Sequence, residues 1–584
     1  MIIQALNEHY ERLKDNLQED IPLRGFSREK VQFEFVLSSE GKLLQINDLR
    51  NEKKVAKLLI VPEAVKRSVN ITANFLCDNT GYVLGRDSEE KEEKAKDADR
   101  GKKTFEEFKK LHHAIINNID DVGAQAVLKF LDSWNPIEIQ DSLCWNVWKD
   151  LGGAKAIFRL DGERGYIHER PAVKQAWLEY YRETQVGYYA FCLVSGKKRN
   201  IARLHNSIKG VKNAQSTGAD IVSCNLAAFK SYGKDQSYNA PISEEVMFNY
   251  TTVLNHLLRK ESRQKIQIGD ATTVFWAEGE TPVVGFLKDV FDPRENTPDL
   301  TGLRLFLEAV REGKNADLSE EQRRLKFYIL GLSPNAKRLS VRFWYVGTVG
   351  DISRKIGQHF SDLRIRREFE DKQPEYPGLW RLLIETLPKR EGQKRKTEDI
   401  SPLLAGVFAK SILTGSMYPV ALLTQIIGRI RADSDVSYFR AALIKAYLVR
   451  NDRILKRKTR GVAMSLDKEQ KDVGYLLGRL FAVLEKAQKD AVPGANTTIK
   501  DRFYGSASAT PAVVFPQLIR LSQHHIQKSQ YGVLIEKFIE EVTADIQVFP
   551  VHLNIEEQGM FALGYYHQKP EMYKRTDKNE EVKQ

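Results

Sequence analysis

From Ser401 onward the apolar residues keep helical spacing, and this change of rhythm limits what the chain can fold into more than any other feature. Leu403, Val407 and Ile412 begin a helical pattern, and Leu422 to Ile430 continues one. Val473, Leu476, Leu477, Leu480 and Leu484 follow the i, i+3, i+4, i+7 rule, as do Leu534, Phe538, Ile539, Val542 and Ile546. Strand signals are scarce there, so the spacing predicts a helix bundle over 401–584. Upstream the pattern mixes both periods. Strands are expected at Ala156–Leu160, Thr272–Ala277 and Lys326–Leu332, and a hairpin should join Tyr188–Val194 to Asn200–Leu204 through Gly196, Lys197 and Lys198. The clearest strand is Arg338–Val346. There Leu339, Val341, Phe343 and Tyr345 alternate onto one face, with Arg338, Ser340, Arg342 and Trp344 on the other. Ile352, Ile356, Phe360 and Leu363 then mark a helix. The expected class is α+β: a mixed α/β N-terminal region followed by an all-α C-terminal helix bundle.

A chain of 584 residues exceeds one hydrophobic core, and at roughly 100–200 residues per domain it should form a few units. The expected division is an N-terminal domain over 1–387, a basic linker over 388–400 and the bundle over 401–584. Pro388–Asp399 has no apolar residue beyond its proline, and residues 86–110 are dense in both charge signs. Both are expected to be mobile connections. No internal repeat of fixed period is visible.

Lys and Arg number 90 against 78 acidic residues, a net charge of +12. Such a surplus suits a polyanionic partner, since each neutralised phosphate releases counterions, although it also serves solubility. No run of about eighteen apolar residues exists, so no membrane span is expected. The opening MIIQALNEHYERLKDNLQED reads as an amphipathic helix and lacks the regions of a signal peptide. Cys77, Cys144, Cys192 and Cys224 are far apart with no CxxC pair, which suits reduced core residues of a cytoplasmic protein.

The motifs that usually carry chemistry are missing from the sequence. There is no GxxxxGK[ST] loop, HExxH or GxSxG, and Gly81–Asp87 (GYVLGRD) lacks GxGxxG spacing. His112–His113 and His524–His525 are adjacent pairs, whose side chains leave a helix about 100° apart and converge poorly on one metal. They read as buried or interface histidines. No catalytic residue, metal or cofactor is expected.

Three stretches have the composition of polyanion contacts. Val61–Gly85 gathers Lys66, Arg67, Asn70, Asn74 and Asn79. An asparagine amide offers a donor and an acceptor to a base edge, though in loops it often bonds its own backbone. Ile201–Ala219 sets Arg203 and Lys209 before Lys212, Asn213, Gln215 and Ser216, bracketed by Gly210 and Gly218. Glycine allows close backbone approach to a ligand, and the plain alternative is a long polar surface loop. The third is Lys337, Arg338 and Arg342 with Trp344, a row that could hold phosphates and a stacked base or simply cover apolar surface with arginine stems.

Long segments resemble one family in its order. They are MIIQALNEHYERL with IPLRGFSREKVQFEFVL, VPEAVKRSVNITANFLCDNTGYVLG, IARLHNSIKGVKNAQSTGADIVSCNLAAFKSYGKDQSYNAP, IGDATTVFWAE, LSPNAKRLSVRFWYVGTVGDI, TIKDRFYGSASATPAVVFPQLIRLSQHHIQKSQ and EEQGMFALGYYHQ. They look like the Csd family, the large subunit of type I-C CRISPR Cascade. The resemblance implies a non-enzymatic subunit beside the one that holds the 5′ end of the CRISPR RNA, in contact with backbone and small subunits. Its N-terminal region would sense the protospacer-adjacent motif (PAM) in double-stranded target DNA and help start strand separation. Guide pairing would then read the sequence. The helical domain would lie along the displaced strand, and the R-loop would recruit a helicase-nuclease in antiviral defence. The resemblance also implies that the bundle is made separately as a small subunit, with Met464–Gln584 the expected segment. Two other readings stand beside it: a helical scaffold that binds only protein, and a nuclease with an unfamiliar carboxylate site.

Overall fold

Phe33, Phe35 and Phe158 are wholly or almost wholly buried, and the N-terminal part of the chain closes around them. A computed structural model describes the protein apart from residues 17–19, 66–70, 87–94, 137–143, 145–147, 185–186, 292–307, 309–317, 371, 390–391, 458–459, 495 and 574–584. The chain divides into two compact units, one made of Met1–Ile208 with Asp220–His256, the other of Lys209–Ala219 with Leu257–Gln584.

In the first unit, β1 (Phe26–Val31) and β4 (Lys57–Pro62) pair as an antiparallel ribbon. β2 (Phe33–Leu37), β3 (Leu43–Asp48), β5 (Cys77–Asn79) and β6 (Lys155–Leu160) form a sheet in the order β3-β2-β6-β5, with β2 and β6 parallel. β2 is buried along its whole length, so its one carboxylate must be paired. Glu34 accepts from Arg159 at 2.8 Å and from Asn47 at 2.8 Å. The helices Val122–Ser133 and Pro171–Glu183 bring Val127, Phe130, Leu131 and Trp177 to this core. A third helix, Ala95–Ile116, corrects the expectation of a mobile connection for 95–110, while residues 87–94 of that stretch lie outside the described residues. Its later turns bury Phe105, Phe108, His112, Ile115 and Ile116 on one stripe, enough to fix the charged turns before them. A hairpin of β7 (Tyr189–Phe191) and β8 (Lys198–Asn200) forms where expected, with shorter strands.

In the second unit, β9 (Lys265–Ile268), β10 (Ala271–Ala277), β11 (Lys326–Asn335) and β12 (Arg338–Thr348) make an antiparallel sheet in the order β12-β11-β10-β9. The strict alternation expected for β12 fails at one residue. Gly331 pairs with Phe343 but Leu332 with Val341, so Arg342 is the extra residue of a β-bulge. Phe343 and Tyr345 pack on the core. Leu339 and Val341 fall instead on the face of Trp344, which stacks on Tyr328 with ring centroids 5.6 Å apart. The helix Val349–Leu363 follows as expected, burying Ile352, Ile356, Phe360 and Leu363, and the Thr348 hydroxyl accepts the Asp351 N–H at its start.

After a short helix at Leu379–Leu383, eight more follow among the described residues: Pro402–Thr414, Val420–Asp433, Tyr438–Ile454, Val473–Ala491, Ile499–Ala507, Pro511–Lys528, Gly532–Thr543 and Ile555–Met572. The stripe of the first is shifted by one position from the expected one. Leu403 and Val407 are exposed, while Leu404, Ala405, Phe408, Ala409 and Ile412 are buried. One core runs from Ile266 on β9 to Tyr566 on the last helix. The basic segment Pro388–Asp399 lies inside this unit. Lys389 pairs with Asp435, and Arg395 reaches Glu385 at 3.2 Å. Glu385 also takes Arg381 at 2.8 Å and the wholly buried Arg440 at 3.2 Å. Removing that carboxylate would leave a buried guanidinium short of a partner.

Candidate nucleic-acid interface

The loop Lys209–Ala219 owes its form to what holds its two ends. Gly210 has φ +87°, and a Cβ there would lie 2.5 Å from the Leu258 carbonyl oxygen, so only glycine fits. The Lys212 N–H donates to Thr272 Oγ1 on β10 at 2.9 Å. Val211, Gly218 and Ala219 are buried. Two short turns lie between these anchors, with Ala214 N–H on the Val211 carbonyl (3.2 Å) and Gly218 N–H on the Gln215 carbonyl (2.9 Å). Asn213 takes the left-handed conformation at φ +63°, which asparagine tolerates. The result is a pinned base and a polar tip. Lys212, Asn213, Gln215 and Ser216 are all exposed. Among the described residues their side chains make no hydrogen bond or ion pair, so the tip's donors, acceptors and charge face water. Lys209 is also exposed.

In the first unit, Asn74 and Arg203 meet at one cavity of about 520 Å³, whose walls include Trp177, Tyr181, Phe248 and Glu244. The two residues have different parts. Asn74 is buried; its Oδ1 accepts the Val65 N–H at 2.9 Å, and its Nδ2 donates to Asp78 Oδ1 at 3.3 Å. Its backbone N–H donates to Asp78 Oδ2 at 2.8 Å. That amide braces the chain around a buried carboxylate. Arg203 is exposed. Asn79 closes β5 opposite Lys155, half-buried at the head of a short helix it does not cap through its side chain. Lys66, Arg67 and Asn70 lie outside the described residues. The aromatic walls come from distant segments, and no local sequence signal marks them.

The third stretch is not one row. The bulge sets Arg338 and Ser340 on the face of Phe343 and Tyr345, away from Trp344. Arg342 lies 2.8 Å from Asp270, an exposed pair, and Lys337 is exposed at the β11–β12 turn.

The histidine pairs are structural where they are buried. His112 Nε2 accepts the Leu76 N–H at 3.0 Å, and its Nδ1 lies 2.7 Å from the Phe108 carbonyl oxygen. Burial pushes its pKa down to about 4. Among the described residues no three His, Cys, Asp or Glu side chains are grouped to hold a metal. No described helix is long and apolar enough to cross a membrane. Cys77, Cys144 and Cys192 are buried and Cys224 is half-buried, and none of the four is in a disulfide among the described residues.

The chain is thus an α+β protein with a polar loop pinned at its base and a large helical part. A family model described as CRISPR-associated protein (Cas_Csd1) matches residues 6–573, and the chain belongs to this family, that of the type I-C Cascade large subunit. No curated protein matches it. As a Cascade subunit it works in a complex with CRISPR RNA and other Cas subunits.

Proposed function

We propose that the chain recognises the PAM in double-stranded DNA, initiates and stabilises the R-loop, and supports recruitment of the helicase-nuclease, with no catalysis of its own. The observation that carries this reading is the Lys209–Ala219 loop, whose tip offers the side chains of Lys212, Asn213, Gln215 and Ser216 with no hydrogen bond or ion pair among the described residues. A PAM reader acts before guide pairing exists, so it needs a phosphate anchor together with a few groove-directed amides. Lys212 supplies the anchor, and Asn213 and Gln215 supply the amides. The pinned base means that little ordering is left to be done on binding.

In the assembled complex, Gln215→Ala should weaken PAM-dependent duplex binding by about 1–3 kcal/mol. Asn213→Gly, which keeps the left-handed backbone, should do the same. Binding to a pre-opened bubble should suffer less. Equal losses on both substrates would count against PAM reading and point to assembly. With target DNA and divalent metal but no helicase-nuclease the DNA should stay intact, and cleavage that tracked this subunit would overturn the non-catalytic reading.

A further inference from the structure

We propose that the outward face of the β7–β8 hairpin is a stacking platform for unpaired nucleotides. The alternation of the strand puts Ala190 and Cys192 inward, packed with Ile201, Ile242 and Val246. The opposite residues, Tyr189, Phe191 and Leu193, are 63%, 69% and 71% exposed. A row of three large apolar side chains in water is unusual for a surface with no partner. The hairpin that presents it is well tied. Cys192 N–H donates to the Lys197 carbonyl at 3.0 Å, Leu193 N–H to that of Pro241 at 2.9 Å, and Ile201 N–H to that of Tyr188 at 2.9 Å.

Charge decides the occupant. From Thr184 to Ile208 the sequence has four Lys and Arg and no Asp or Glu. Lys198 is the cross-strand partner of Phe191. It and Lys197 are exposed, and neither makes an ion pair among the described residues. Arg199 is 4.0 Å from Glu245, the one carboxylate close to the hairpin's cations among the described residues. Protein interfaces are depleted of lysine, whereas aromatic rings beside free lysines suit bases and their phosphates. The bases must be unpaired, because in a duplex their faces are covered by neighbouring pairs. The inference rests on the reading of the chain as a nucleic-acid-bound subunit but makes no use of the 209–219 loop.

The test uses the full chain and three fluorescent probes: oligothymidylate, oligouridylate of equal length, and a blunt duplex. Tyr189→Ala with Phe191→Ala should lower affinity for a single strand about five- to a hundredfold per ring lost, and leave duplex affinity unchanged. A 2-aminopurine in the strand should be quenched by the wild type and by Tyr189→Trp with Phe191→Trp, but not by the double alanine variant. A larger loss on uridylate assigns the platform to the CRISPR RNA, and on thymidylate to an opened DNA strand. Wild-type affinity and quenching in the double alanine variant would overturn the proposal. If that variant also failed to join the other Cascade subunits, the row would be a protein-docking face. Failure of PAM reading would show separately, in the Gln215→Ala duplex measurements.

Discussion

His112 sits between the rings of Phe75 and Phe108, with centroids 5.1 and 4.0 Å from its own. Its two nitrogens face one donor, the Leu76 N–H, and one acceptor, the Phe108 carbonyl. That pattern fits the neutral ring and leaves no acceptor for a second proton. The unfolded imidazole titrates near 6.5 and the folded one near 4. Between these values the unfolded chain binds more protons, so stability falls as pH falls through that window. From pH 7 to pH 5 this ring alone should cost the fold about 2 kcal/mol. His112→Gln keeps one donor and one acceptor and does not titrate. Its unfolding midpoint should therefore drop less than that of the wild type over the same interval, as followed by circular dichroism. The sequence was enough to disfavour a metal at His112–His113, because adjacent side chains diverge on a helix. It could not say which ring is buried, since that depends on Leu76, far away along the chain. Asn74 teaches the same limit: an amide that could read a base edge is engaged by Val65 and Asp78.

At the scale of elements, the helices Val473–Ala491 and Ile555–Met572 meet backbone to backbone. A Cβ on Gly478 would come within 2.0 Å of the Phe561 carbonyl oxygen, and one on Gly564 within 2.0 Å of that of Tyr475. A Cβ on Gly474 would likewise lie 2.5 Å from the Glu557 carbonyl oxygen. Gly478→Ala should therefore destabilise the protein by about 1–3 kcal/mol or more through overpacking. Gly428→Ala, in a helix where nothing lies within 4 Å of the added carbon, should stabilise it by about 0.5–1 kcal/mol. Thermal unfolding of both variants separates close packing from helix propensity. The leucine stripe made Val473–Ala491 legible, whereas Ile555–Met572 carries no such stripe, and the glycines that set their distance count against a helix in any local reading. β2 went unread for a related reason, since a strand buried on both faces shows no alternation. The bulge at Arg342 is a property of pairing with β11, which periodicity along one strand does not contain.

For the whole molecule, the change of rhythm at Ser401 marks a change of secondary structure within one unit, whose core joins β9–β12 to the helices. The proposed internal start at Met464 bears on this arrangement. Met464–Gln584 would be a 121-residue product with 15 basic and 16 acidic residues, so the basic surplus of the chain lies upstream. Replacing Met464 with leucine on a non-initiating codon should remove a band of about 14 kDa (at ~0.11 kDa per residue, within the usual size range of domains) and spare the full-length protein. A band that persisted would move the start elsewhere, with Met417 the rival.

The helix Ile555–Met572 is buried on nearly every side from Gly559 to Gln568. Part of that cover comes from Tyr438–Ile454, where Ile444 Cγ2 would lie 3.1 Å from a Cβ on Gly559. A product begun at Met464 keeps the glycine-packed helix pair but loses this cover. Apolar side chains that the full chain buries against Tyr438–Ile454 would then face water.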